Sequence, residues 1–200
     1  QGAQHSQALQ AWYAHVPGLR VVMPATALDA RDLLISSALC NDPVIYIDDR
    51  WCYDHEEENK PIIEMDLSKQ VPKVLKAGEQ ITIVSASFTS LLSLDAAEAL
   101  EKNGISAEVI DLRVLSPLDI ELVIKSVEKT NSLLVVDGGW ARYGLASEII
   151  ASVAEKISFI KCLPQRLTTK NSPAPTSKVL EQNYYIQKSD IIDKVISMVN

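Results

Sequence analysis

Apolar positions recur along this chain in two alternating rhythms. Leu9, Trp12 and Tyr13 fall at i, i+3 and i+4, which predicts a helix over 6–15 stopped by Pro17 and Gly18. The run LRVVMP (19–24) is short and fully apolar, as a buried strand is. Thr26 with Asp29 three residues on has the spacing of a capping box, and Leu33, Leu34 and Leu39 follow along a helix over 27–39. Asn41, Asp42 and Pro43 turn the chain into a second strand, PVIYID (43–48). The rhythm then breaks. DDRWCYDHEEENKP (48–61) is acidic and aperiodic, and reads as the start of a linker running to about residue 70.

Beyond the linker the alternation restarts. ITIVSAS (81–87) predicts a strand, and 89–102 a helix with Leu92, Ala96, Ala99 and Leu100 on one side, ended by Asn103 and Gly104. ISAEVIDL (105–112) predicts the next strand. Ser116, Pro117 and Asp119 have the pattern of a helix start, with Ser as cap, Pro in the first position and a carboxylate near the positive end of the dipole. That helix is expected to run to about Lys129. SLLVVD (132–137) predicts a strand, Gly138 and Gly139 a turn, 144–157 a helix and FIKCLP (159–164) another strand. A proline-rich loop at 172–175 precedes a last helix over 188–199, with Ile191, Ile192, Val195 and Val199. Strands alternating with helices at this spacing imply an α/β fold, a mostly parallel sheet with helices on both faces. The break at 48–70 divides it into units of about 1–65 and 66–200.

Composition narrows the function classes. The 200 residues are 47% hydrophobic and 22% charged, which suits a globular chain with a sizeable core. The net charge of -7, with scattered Lys and Arg, disfavours nucleic acid as a partner. Cys40, Cys52 and Cys162 lack metal-ligand spacing and read as reduced thiols. No apolar run approaches the ~20 residues of a membrane helix, so no membrane partner is expected.

The familiar catalytic signatures are absent: no GxGxxG, no GxxxxGK[ST], no GxSxG, no HExxH and no CxxC. Gly138, Gly139 and Gly144 ahead of a helix could cradle an anion, but turn geometry is the plainer reading. Asp48 and Asp49 are adjacent, so on a strand they would point to opposite faces. His5 sits between Gln4 and Ser6, off any apolar face. Imidazole suits acid–base chemistry, and spacing alone leaves both a structural and a functional His5 open. His15 ends a helix, where a cation meets the negative dipole end, and reads as structural; His55 reads as solvated.

Several stretches, in order, resemble one family. AQHSQ (3–7), AWYAHVPGLRVVMPA (11–25), NDPVIYI (41–47), IDLRVLSPLD (110–119), VVDGGW (135–140) and KVLEQN (178–183) are similar to the β subunit of thiamine diphosphate-dependent 2-oxoacid dehydrogenases, the pyruvate enzymes above all, within the transketolase superfamily. In that family AQHSQ lies inside the subunit. The resemblance therefore implies a C-terminal portion: the end of a pyrimidine-binding domain over about 1–65 and a whole transketolase-type C-terminal domain over about 66–200. The glutamate that protonates the cofactor's aminopyrimidine, and most cofactor contacts, would lie upstream.

The resemblance assigns His5 to the active-site histidine near the reacting carbon of thiamine diphosphate, which handles the 2-oxoacid and passes the acyl group to lipoamide. It implies a potassium site at Ser37, Ala38, Cys40 and Asp42, with Cys40 in place of the usual acid and Asp42 in place of the usual Asn. It also implies magnesium held mainly by a partner α subunit, a β–β dimer within an α2β2 assembly, and a lipoyl-bearing dihydrolipoyl acyltransferase as acceptor. Arg50 stands where an acid is common, which bears on the substrate. A bacterial cytoplasm is the expected compartment, with a mitochondrial matrix as the alternative. Two other readings remain: ketol transfer of the transketolase or 1-deoxyxylulose-5-phosphate synthase type, and a non-catalytic interaction and docking module.

Overall fold

Two sheets organise the chain in the computed structural model, which describes residues 2–62, 66–158 and 160–199, the Ala3 side chain excepted. The elements are α1 (Gly2–His5), α2 (Gln10–Ala14), β1 (Arg20–Val22), α3 (Ala27–Leu39), β2 (Val44–Tyr46), β3 (Lys73–Lys76), β4 (Ile81–Ser85), α4 (Phe88–Glu101), β5 (Ala107–Asp111), β6 (Val114–Ser116), α5 (Glu121–Thr130), β7 (Leu133–Trp140), α6 (Leu145–Lys156), β8 (Gln165–Thr169), α7 (Lys178–Tyr184) and α8 (Lys188–Val199). The smaller sheet has the order β2-β1-β6, and the larger the order β3-β5-β4-β7-β8.

In the larger sheet β5, β4, β7 and β8 run parallel, and β3 joins β5 antiparallel. Its central strands bury both faces, so they are near-continuous apolar runs. Val84, Ile110, Leu133 and Val135 pack with Val123 and Val127 of α5 and Ile149 and Val153 of α6. Ile81, Ile83, Val109, Leu134 and Val136 pack on the other side with Ala96 and Leu100 of α4 and Ile191 and Val195 of α8. The expected α/β architecture, a mostly parallel sheet with helices on both faces, is what the chain forms. Thr26 caps α3 as expected, its hydroxyl accepting from the Asp29 amide at 3.3 Å. Along α3, Leu33 is buried while Leu34 and Leu39 are exposed.

The two sheets are joined through β6. It follows β5 in the chain, yet pairs antiparallel with β1, Val21 opposite Ser116. This corrects the expected helix start. Ser116 is a strand residue whose hydroxyl donates to the Leu19 carbonyl at 2.9 Å, and the Ser116-Pro117 peptide is cis. The helix starts at Glu121, and Asp119 accepts from the Glu121 amide at 3.0 Å. Pairing with a strand far away in sequence outweighed a local capping pattern.

Other boundaries move as well. The helix expected over 6–15 is confined to Gln10–Ala14, and residues 6–9 are not helical. Of the strand expected at 159–164, Phe159 lies outside the described residues and 160–164 are not strand. The strand is Gln165–Thr169, in register with Leu134 onward. It is an edge strand, so it carries polar side chains and shows no apolar run. Gly138 and Gly139 lie within β7, where the register against β8 shifts between Asp137 and Trp140.

Candidate active site

Strand order decides where a site can form. From β4 the chain passes to β5 on one side, then crosses to β7 on the other. The boundary of β4 and β7 is thus a switch point, and parallel α/β sheets bind ligands in the crevice beyond the carboxyl ends of strands at such a point. A cavity of about 380 Å³ lies there, lined by Ser85 at the end of β4, by Ala86, Phe88 and Thr89 after it and by residues 135–138 of β7. Residues 48–51, which follow β2, form another wall, and His5 stands on the same cavity.

His5 is the last residue of α1 and is exposed. Ser6 and Tyr185 line the cavity beside it, and burial raises the pKa of the Tyr185 phenol, with Ser6 partly offsetting it. The aromatic wall is built from three remote segments. Trp51 packs on Phe88 with centroids 5.0 Å apart and on Tyr185 at 5.5 Å, and Tyr184 meets Tyr185 edge-on at 4.9 Å.

Asp48 and Asp49 both line the cavity, contrary to the opposite-face expectation, because β2 ends at Tyr46 and they follow it as loop residues. Asp48 accepts from the Tyr53 hydroxyl. Burial pushes the Asp49 carboxyl up, against the pull of the Trp51 amide donating at 3.0 Å. Cys52 is no thiolate: burial, with Asp49 adding, pushes its thiol up to about 12.

Asp137 fills the place where the glycines suggested an anion cradle. It is buried, and Oδ1 accepts from Gln10 Nε2 at 3.0 Å and from the Gly139 amide at 2.8 Å. Oδ2 accepts from the Ala146 amide at 3.1 Å, in the first turn of α6. The helix terminus is thus satisfied by the protein's own carboxylate. Burial raises the Asp137 pKa, and these donors partly offset it. Asp111, on β5, is fully buried and pushed up to about 7 by desolvation, against the Ser90 hydroxyl donating to it at 2.9 Å.

The four residues of the expected potassium site lie together at the end of α3 and in the turn after it. The Cys40 amide donates to the Ser37 carbonyl at 3.3 Å, and the Asp42 amide to Cys40 Sγ at 3.4 Å. The Asp42 carboxylate is engaged by Arg20 at 2.7 Å. These residues are apart from the His5 cavity, none of them lining it. His15 follows α2 and lines a second cavity of about 880 Å³ with Trp12, Trp140 and Tyr143. His55 is half-buried, its amide donating to the Cys52 carbonyl at 3.1 Å. Among the described residues no group of three or more His, Cys, Asp or Glu is arranged to hold a metal ion, and no helix is long and apolar enough to cross a membrane.

Sequence reasoning missed Gln10, Trp51, Phe88 and Tyr185, whose roles come from contacts between distant segments. Asp137 left a trace: a carboxylate ending an apolar strand, followed by two glycines and a helix.

Residues 71–191 match the family described as transketolase, C-terminal domain. The mouse "Pyruvate dehydrogenase E1 component subunit beta, mitochondrial" is 38% identical over 206 residues, covering 99% of this chain and 56% of that protein. The Rickettsia felis "Pyruvate dehydrogenase E1 component subunit beta" is 37% identical, covering 96% of the chain and 59% of the relative. The chain thus spans little more than half the length of these curated relatives. A solved structure titled "Split gene transketolase, inactive beta4 tetramer" superposes with a TM-score of 0.78 at 25% identity, covering 99% of this chain and 64% of that one. Transketolase from Campylobacter jejuni gives a TM-score of 0.69 at 14% identity over 98% of this chain and 29% of its own, which speaks for the fold alone.

Proposed function

Because the chain belongs to the transketolase C-terminal domain family, we propose that it is part of the β subunit of a thiamine diphosphate-dependent 2-oxoacid dehydrogenase, with pyruvate as substrate. The observation that carries this reading is identity of 37–38% to pyruvate dehydrogenase β subunits across nearly the whole chain. We divide the chain into the end of a pyrimidine-binding domain, about 1–65, and a C-terminal domain, about 66–200. The separate sheets on either side of the 48–70 stretch support this, with β6 as the strand that docks one unit on the other.

The cavity fits the reacting end of the cofactor and not its diphosphate. Among the described residues its Lys, Arg and His lining is limited to Arg50 and His5, set against Asp48, Asp49, Asp137 and Glu181. The diphosphate and its magnesium belong, in this reading, to a partner α subunit. Thiamine diphosphate, when bound, supplies the nucleophilic carbon and electron sink that decarboxylation of a 2-oxoacid needs. His5 holds or moves a proton at the imidazole, beside the substrate oxygen and then during acyl transfer to lipoamide. Trp51, Phe88 and Tyr185 wall the cavity and limit water. Potassium is assigned to the backbone carbonyls of Ser37 and Ala38 in the last turn of α3 and of Cys40 and Asp42 in the turn after it. The Ser37 carbonyl already accepts from the Cys40 amide, and a carbonyl oxygen keeps a second lone pair for a cation.

The assembly proposed is α2β2 with a β–β contact, delivering the acyl group to a lipoyl-bearing dihydrolipoyl acyltransferase. The compartment proposed is a bacterial cytoplasm; the relatives include both bacterial and mitochondrial proteins. The test is reconstitution of the full polypeptide with its α subunit, thiamine diphosphate and magnesium, followed by carbon dioxide release from pyruvate. Ketol transfer between sugar phosphates, with no carbon dioxide, would instead favour the second reading, for which the likeness to a split-gene transketolase speaks.

A further inference from the structure

The segment bearing His5 is gripped at Gln10 by an element remote in sequence: Asp137, at 3.0 Å and 127 residues away. Both Gln10 and Asp137 are buried, at 4% and 3% exposure, so neither end of this bond can exchange its partner for water without cost. Between His5 and Gln10 lie four residues without helical structure, which have no internal ladder to hold their shape.

The surroundings are shaped around this bond. A Cβ at position 139 would stand 2.9 Å from Gln10 Nε2 and 3.1 Å from Asp137 Oδ1. A Cβ at position 144 would stand 2.0 Å from the Trp140 carbonyl oxygen and 3.2 Å from Asp137 Oδ2. Glycine at both positions leaves room for the carboxylate to reach Gln10 on one side and the start of α6 on the other. Asp137 is itself fixed by two backbone amides, Gly139 and Ala146, at 2.8 and 3.1 Å. A carboxylate anchored this way, on a central strand, is a rigid reference point for the segment that carries His5.

We propose that Asp137 is a positioning residue: by holding Gln10 it fixes the 6–9 segment and so sets His5 at the cavity. The role assigned to His5 rests on the dehydrogenase reading, whereas the positioning itself does not. Misplacement of a reacting group by about 1 Å costs on the order of 100-fold in rate, so a single buried bond is enough to matter.

The test uses the full polypeptide assembled with its α subunit. Gln10→Met keeps the volume and removes the donor. Gly139→Ala keeps both partners and forces a methyl between them. Two readouts are taken: pyruvate turnover split into kcat and KM, and the rate at which diethyl pyrocarbonate labels His5, read by mass spectrometry with exposed His15 as internal control. The expected result is altered His5 labelling with His15 unchanged, and kcat lowered about 10- to 100-fold with KM held. Altered His5 labelling with unchanged turnover upholds the positioning and removes His5 from the chemistry. Unchanged His5 labelling in a folded Gln10→Met protein overturns the proposal whatever the turnover. If Gln10→Met does not fold, the same labelling result in Gly139→Ala decides.

Discussion

Arg113 Nη2 donates to Asp29 Oδ1 at 2.8 Å across 84 residues, and both side chains are nearly out of solvent. The same guanidinium also donates to Gln70 Oε1 and to the Val71 carbonyl, both at 2.9 Å. One side chain thus ties the first turn of α3, the stretch before β3 and the β5–β6 connection. Arg113 takes φ 60 to do this, a left-handed conformation that non-glycine residues rarely adopt.

Removing one partner of a buried pair leaves the other charge without its counter-charge. Arg113→Met is therefore expected to lower stability by about 3 kcal/mol, since Lys73, 3.7 Å from Asp29, replaces little of the lost bonding. The exposed pair of Arg20 and Asp42 is the control, and Arg20→Gln is expected to cost roughly 0.5 kcal/mol. Urea midpoints of the two variants measure the contrast. Equal losses would mean that Arg113 does not hold α3 and the stretch before β3 to the β5–β6 connection.

Asp111 gives the protein a pH dependence of definite sign. Its folded pKa of about 7 lies above the ordinary carboxyl value of about 3.9. The folded state therefore holds the proton more tightly, and the contribution present below the ordinary value is lost as pH rises through the folded one. Asp49 and Asp137, also raised, act with the same sign. Stability is expected to fall from pH 5 to pH 7, by on the order of 1.4 kcal/mol per unit for each proton held. Asp111→Asn should flatten this slope. A variant with the parent's slope would remove Asp111 as its source.

Cys52 is expected to be the slowest of the three thiols toward iodoacetamide at pH 8, because its raised pKa leaves almost no thiolate. Mass-spectrometric mapping of partial alkylation reads this directly. Preferential labelling of Cys52 would contradict the burial that raises its pKa.

What could be read in the sequence follows from how local each signal is. β4, β5 and β7 are buried on both faces, so their apolar runs mark them plainly. Thr26 and α3 were legible because a cap is written within four residues. β8 was placed too early because an edge strand keeps polar residues such as Gln165, Arg166 and Thr168, while the apolar run before it joins no strand over 160–164. Ser116 carried a genuine local cap pattern and was claimed instead by β1, 95 residues earlier at Val21. Of the residues lining the cavity, the resemblance singled out His5, whose role is the proposal made above. The grip of Asp137 on Gln10 and the packing of Trp51 against Phe88 and Tyr185 join segments whose separation leaves no periodicity to find.

The central claim is that His5 serves the chemistry of a 2-oxoacid dehydrogenase. Its most direct test is steady-state pyruvate turnover by the assembled full polypeptide and α subunit, comparing parent, His5→Ala and His15→Ala. A group acting in proton transfer contributes typically ~100- to 10,000-fold, so His5→Ala is expected to lose turnover on that scale. Folding should be intact, because His5 is exposed and contributes little to the core. His15→Ala is expected to keep the parent's rate. Parent-like turnover in a folded, assembled His5→Ala enzyme would contradict the account.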